Sequence, residues 1–208
     1  MSYRGPFFVF VFTALILRYL EALEQSSPNA NFDTDIVKVL NTSQPQWLYY
    51  QTYDNAISLP SMDLSITIYE LARTCIYNKM TDISKQYYNF TLNLMVGEER
   101  NTLTYVGIYD TEGDASNGQP SSMKVYNETG GGPFFEMKLG YFDTDGGCSV
   151  FFVTVYEEET TQESPDCELY VPNRKISKGP SDGCMQYINS CCNSSKKYKP
   201  YKDTCTPW

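Results

Sequence analysis

Gln86-Tyr87-Tyr88-Asn89-Phe90-Thr91-Leu92-Asn93-Leu94-Met95-Val96 alternates along its whole length. Tyr88, Phe90, Leu92, Leu94 and Val96 share one face, and Tyr87, Asn89, Thr91 and Asn93 share the other, the two-residue period of a half-buried strand. Asn89 opens the sequon Asn89-Phe90-Thr91, and a glycan there has to point to solvent, which turns the aromatic and aliphatic set inward. Working outward, segments rich in tyrosine, threonine and β-branched residues predict strands at 47–53, 74–83, 86–96, 102–109, 123–127, 133–142, 148–157 and 167–171. Turn-forming stretches at 112–120, 130–133 and 143–147 separate them as hairpin loops. Eight such strands in meander order favour an all-β, up-and-down antiparallel barrel over a sandwich, because closure removes the sheet edges and leaves room for one small ligand. The stretch 55–71 either lengthens the first loop or begins the second strand.

Helices flank this β centre. Residues 29–40 carry Phe32, Ile36, Val37 and Leu40 at helical spacing, which predicts a short amphipathic N-terminal helix. Near the C-terminus, Ser181 or Asp182 could cap a helix bearing Cys184, Tyr187, Ile188 and Cys191 along one side.

The first residues set the compartment. Met1 to Arg4 is a short positive start, Phe7 to Leu17 is apolar apart from Thr13, and Ala22 offers a small cleavage residue. The expected organisation is a signal peptide over 1–22 and one domain over 23–208; the apolar run is far shorter than the roughly twenty residues of a membrane-spanning helix. Secretion accommodates the seven cysteines, all downstream of the leader, as a disulfide scaffold with one thiol left over. Four sequons, at Asn41, Asn89, Asn127 and Asn193, are glycosylation candidates at the same address.

Composition excludes several classes. The net charge of −9 makes nucleic acid and anionic membranes poor partners. With no histidine and no CxxC pair, a zinc site has no ligand set; no Ser-His or Cys-His pair or phosphate loop supports catalysis, and no cofactor is called for.

The pattern Cys148-Ser149-Val150, then Glu168-Leu169-Tyr170, then Cys184 opening the final helix, with Cys75 on the second strand and Cys205 at the tail, resembles the tick salivary lipocalins, including their histamine-binding members. The resemblance covers most of the chain after the leader. It implies a disulfide-stapled lipocalin barrel with Cys75 paired to Cys205, Cys148 to Cys184, and Cys167 to Cys191 or Cys192. It also implies that Glu168 and Tyr170 point into the barrel, where a carboxylate and an aromatic face suit a protonated amine; alternation alone allows Leu169 and Val171 to face inward instead. Tyr53 resembles the aromatic that contacts amine in histamine binders, and the acidic position near it aligns with Ala56 or Asp54. Amine-binding members of that family usually carry aspartate where this chain has Ser149. Tyr88, Phe90 and Phe152 are the candidate aromatic walls, and Glu136 is read as outward because Phe135, Met137 and Leu139 form the more apolar face.

The expected function is therefore a secreted salivary lipocalin that sequesters a small host mediator, a biogenic amine such as histamine or serotonin. Two alternatives stand beside it. One is an amphipathic lipid such as a leukotriene, met by a basic residue such as Lys79 or Lys124 at the mouth; the other is a protein-binding inhibitor of host defence, such as complement, with a collapsed cavity.

Overall fold

The computed structural model describes residues 34–57, 71–111, 118–145, 147–156, 166–192 and 196–208. The leader at 1–22, the beginning of the stretch 29–40, most of the ambiguous stretch 55–71 and the sequon at Asn193 lie outside the described residues.

The strands are β1 (Gln46–Gln51), β2 (Ala56–Ile57), β3 (Leu71–Ile83), β4 (Tyr87–Val96), β5 (Glu99–Tyr109), β6 (Ser122–Asn127), β7 (Phe135–Asp143), β8 (Cys148–Val155) and β9 (Asp166–Pro172). Neighbours pair antiparallel in the order β1-β9-β8-β7-β6-β5-β4-β3, and β1 meets β3 through Gln46 with Asn78 and Trp47 with Tyr77. This closes the eight-stranded up-and-down barrel that alternation predicted. The two-residue β2 pairs only with the first residues of β3, so it is an appendage to the barrel wall.

Two departures from the predicted strands matter for the interior. The first strand ends at Gln51, leaving Tyr53 just beyond it, and its register against β9 shifts between Leu48 and Tyr50. That bulge puts Leu48 and Gln51 on the same face although strict alternation separates them. In turn, β3 begins at Leu71 and not at 74, which brings Arg73 into the wall.

Among the described residues, apolar side chains form three clusters. The first fills the barrel, where Ile36, Val39 and Leu40 of α1 (Ile36–Leu40) close one end against Tyr109, Met123 and Met137. Asp35 caps α1 by accepting from the Lys38 amide at 3.2 Å, and the Ile36 amide donates to the Pro120 carbonyl. The second cluster lies outside the barrel between β8, β9 and α2 (Asp182–Cys191). Of the two capping candidates, Ser181 is the cap, accepting from the Cys184 amide. The third lies where Trp47 and Tyr77, with centroids 4.7 Å apart, are covered by Tyr201 of the C-terminal tail.

Disulfides tie these outer layers to the wall. Cys75 is bridged to Cys205, Cys148 to Cys184 and Cys167 to Cys192, while Cys191 is free and exposed. Among the described sequons, Asn41 and Asn127 are exposed; Asn89 is half-buried on the side of β4 opposite Tyr88 and Phe90, and its Oδ1 has no hydrogen-bond partner. No helix among the described residues is long and apolar enough to cross a membrane.

Candidate functional site

β9 is buried on both faces, and its cysteine decides which residues go inward. Cys167 bonds to Cys192 behind the barrel, so Leu169 and Val171, in phase with it, pack in the outer cluster. Glu168 and Tyr170 take the other phase and line a cavity of about 460 Å3. This volume falls within the roughly 300–1,000 Å3 of small-molecule sites.

Glu168 is only 7% exposed. It accepts hydrogen bonds from the Tyr53 hydroxyl and, at 2.7 Å, from the Tyr170 hydroxyl. Burial pushes its carboxyl above the ordinary range, the two tyrosine donors pull it back in part, and Asp166 two residues toward the mouth adds to the rise. Burial also raises both tyrosines well above 10, with the Glu168 charge acting in the same direction, so both stay protonated and keep donating. Among the described residues no basic side chain pairs with Glu168. The result is a desolvated acid with two neutral donors and open space beside it, an arrangement that favours a cation.

The walls are aromatic and aliphatic. Phe90 stacks on Tyr105 at 5.6 Å, and Tyr105 meets Phe135 edge-on at 5.9 Å. Met137 and Val153 complete the depth, while Leu103, Phe134 and Val155 are exposed at the mouth. Among the described residues Arg73 is the basic residue that borders the cavity; burial raises the Tyr53 and Tyr105 hydroxyls, and the nearby Arg73 charge offsets part of that rise. Lys79 and Lys124, the expected basic mouth residues, are exposed and do not line it.

Of the predicted ligand contacts, Glu168, Tyr170, Tyr53 and Phe90 meet in this cavity. Tyr88 stacks on Phe90 at 4.9 Å but lines a separate void of about 10 Å3 at the closed end, beside Ser149. Phe152 does not belong to the wall. It shares the phase of Cys148, which is bonded to the outer helix, and it packs beneath that helix 6.3 Å from Tyr187; Phe151 is the inward residue. Asp54 is exposed and accepts from the Ala56 amide, so neither alignment of the missing acid reaches the cavity. Glu136 stands outside, accepting from the Tyr156 hydroxyl at 2.7 Å. Gln51 and Asn78 are polar cavity residues that sequence reasoning missed.

The profile of the family described as tick histamine binding protein matches residues 24–207. The chain belongs to the tick histamine-binding protein family. Solved structures resemble the chain at low identity. A crystal structure of AM182 in complex with serotonin is 14% identical, with a TM-score of 0.52, over 82% of this chain and 92% of that one. The siderocalin Ex-FABP, described as having dual ligand specificities, is 9% identical, with a TM-score of 0.47, over 80% of this chain and 94% of that one. No curated protein sequence matches the chain. As a member of the histamine-binding protein family it is a lipocalin-type binder of small ligands, a class not known for catalysis.

Proposed function

We propose that this chain is a secreted scavenger, matured by removal of residues 1–22, that holds a biogenic amine such as histamine or serotonin away from host receptors. The observation that carries the reading is the buried Glu168 carboxylate, held by two tyrosine hydroxyls inside an open aromatic cavity and, among the described residues, paired with no basic side chain. An ammonium supplies the missing charge, and Tyr53, Tyr170 and Phe90 supply ring faces for an aromatic amine or its cation. The serotonin reported in the AM182 complex agrees with this class.

A second reading, an amphipathic lipid acid such as a leukotriene, draws on Arg73 at the rim and on the apolar mouth at Leu103, Phe134 and Val155. The open cavity weighs against the protein-binding alternative, which expects a collapsed one.

The test is calorimetric titration of the oxidised, secreted protein with histamine, serotonin and leukotriene separately, repeated on Glu168→Gln. Saturable binding of an amine that weakens at least about tenfold in the variant, roughly 1.4 kcal/mol, supports the amine site. Unchanged amine affinity in a folded variant rejects Glu168 as the counter-charge. Leukotriene binding alone keeps the scavenger and discards the amine; failure of all three transfers the function to another ligand or a protein target.

A further inference from the structure

Gln51 is 1% exposed and stands directly across from Glu168 in the β1–β9 register, on the same inward face. Its Nε2 donates to the Tyr53 carbonyl at 2.9 Å. That bond fixes the orientation of the amide, since the flipped form would set Oε1 against a carbonyl oxygen. Oε1 is thereby left buried, bordering the cavity, with no partner. The backbone cannot relax to relieve it, because the Gln51 amide and carbonyl are both bonded to Tyr198, at 3.0 and 2.9 Å. Asn78 also has an unpartnered Oδ1, but it borders the small void as well, whose volume admits one water.

We infer that Gln51 is a specificity-determining residue of the amine site, accepting a second N–H from the ammonium that Glu168 holds, so that the site selects amines with at least two N–H groups on the charged nitrogen. This rests on the amine reading above. A ligand that enters the cavity displaces any water from Oε1. If it offers no second donor it leaves a buried acceptor bare, which is what separates it from a ligand that does. A primary or N-methyl ammonium can donate to both Glu168 and Gln51, whereas an N,N-dimethyl ammonium has one proton and can satisfy only one of them.

The experiment titrates the wild-type protein with serotonin, N-methylserotonin and N,N-dimethylserotonin, then repeats the series on Gln51→Leu. In wild type the first two should bind alike and the third about tenfold more weakly, placing the step between two N–H groups and one. In Gln51→Leu the step should flatten from both sides: N,N-dimethylserotonin gains affinity because no buried acceptor is left bare, and serotonin loses it because its second N–H has no partner. The wild-type series needs no folded variant, so a smooth decline with each methyl group overturns the inference by itself. A step that persists in a folded Gln51→Leu overturns it too. Amine binding that depends on Glu168 but lacks the step removes Gln51's role and leaves the amine site standing; absence of all amine binding in wild type removes both.

Discussion

Glu168 is the residue on which two pH dependences of opposite sign turn. Its carboxyl is raised in the folded chain from an unfolded value of 4.5, so between that pH and its folded pKa the native state holds more protons than the unfolded state. Stability from this group is complete below 4.5 and is lost as pH rises through the folded pKa. Glu168→Gln, which has no such proton, should therefore gain stability relative to wild type from pH 4.5 to 7, a trend that thermal unfolding of both proteins in the absence of amine would show. At the proposed amine site, affinity runs the other way. A cation needs the ionised carboxylate, so wild-type binding of serotonin should fall as pH drops from 7 toward 4.5, and titrations across that range should show the loss disappear in Glu168→Gln. The inward aim of Glu168 was legible without the family resemblance only in part. Alternation left two phases open, yet any bond from Cys167 to a cysteine of the outer helix selects one of them, and the same logic applied to Cys148 places Phe152 outside. Gln51 was hidden for a different reason: the bulge between Leu48 and Tyr50 reverses the phase of β1, and a bulge leaves no mark in a two-residue period.

The outer helix α2 shows how one glycine positions an element. Residues Cys184, Ile188 and Cys192 recur every four positions and form its buried side, which is why Cys192 takes the bond to Cys167 and Cys191, in line with Tyr187, is left exposed. Before the structure, spacings of three and four were both compatible with one helical face, so the choice between the two cysteines stayed open. The helix is seated over β7 at Gly140, where an added Cβ would lie 2.7 Å from Phe152 Cε2 and 2.9 Å from the Tyr187 hydroxyl. Both rings would have to shift, and overpacking of this kind costs about 1–3 kcal/mol. Gly140→Ala should accordingly lower the denaturant midpoint by that amount. Because Gly140 lies outside the barrel lumen, serotonin affinity should stay at the wild-type value, and a large loss of affinity would mean that the seating of α2 reaches the cavity. Alkylation of the native protein under non-reducing conditions should label Cys191 alone, as mapped by mass spectrometry, since the other six cysteines are bonded.

At the scale of the whole molecule, alternation is a local property and was readable strand by strand, whereas closure is not. The barrel is completed by β1 meeting β3, and the tail reinforces that seam: Cys205 bonds to Cys75 of β3, the Cys75 amide donates to the Pro200 carbonyl, and Tyr201 covers Trp47 of β1. Arg73 at the mouth was missed because β3 extends further toward its start than its β-branched residues suggested. The seam bond spans 130 residues of sequence, against 36 for Cys148–Cys184 and 25 for Cys167–Cys192. If a disulfide acts chiefly by restricting the unfolded chain, its contribution grows with the logarithm of the loop it closes, giving about 5 kcal/mol for the seam and about 3.5–4 kcal/mol for the other two. Paired serine replacements should then rank in that order in urea unfolding, with Cys75→Ser/Cys205→Ser the most destabilised by about 1 kcal/mol or more. The reverse order, with the two bonds to α2 mattering most, would show that the outer helix and not the β1–β3 seam holds the native barrel together, because the loss would then follow native packing instead of loop length.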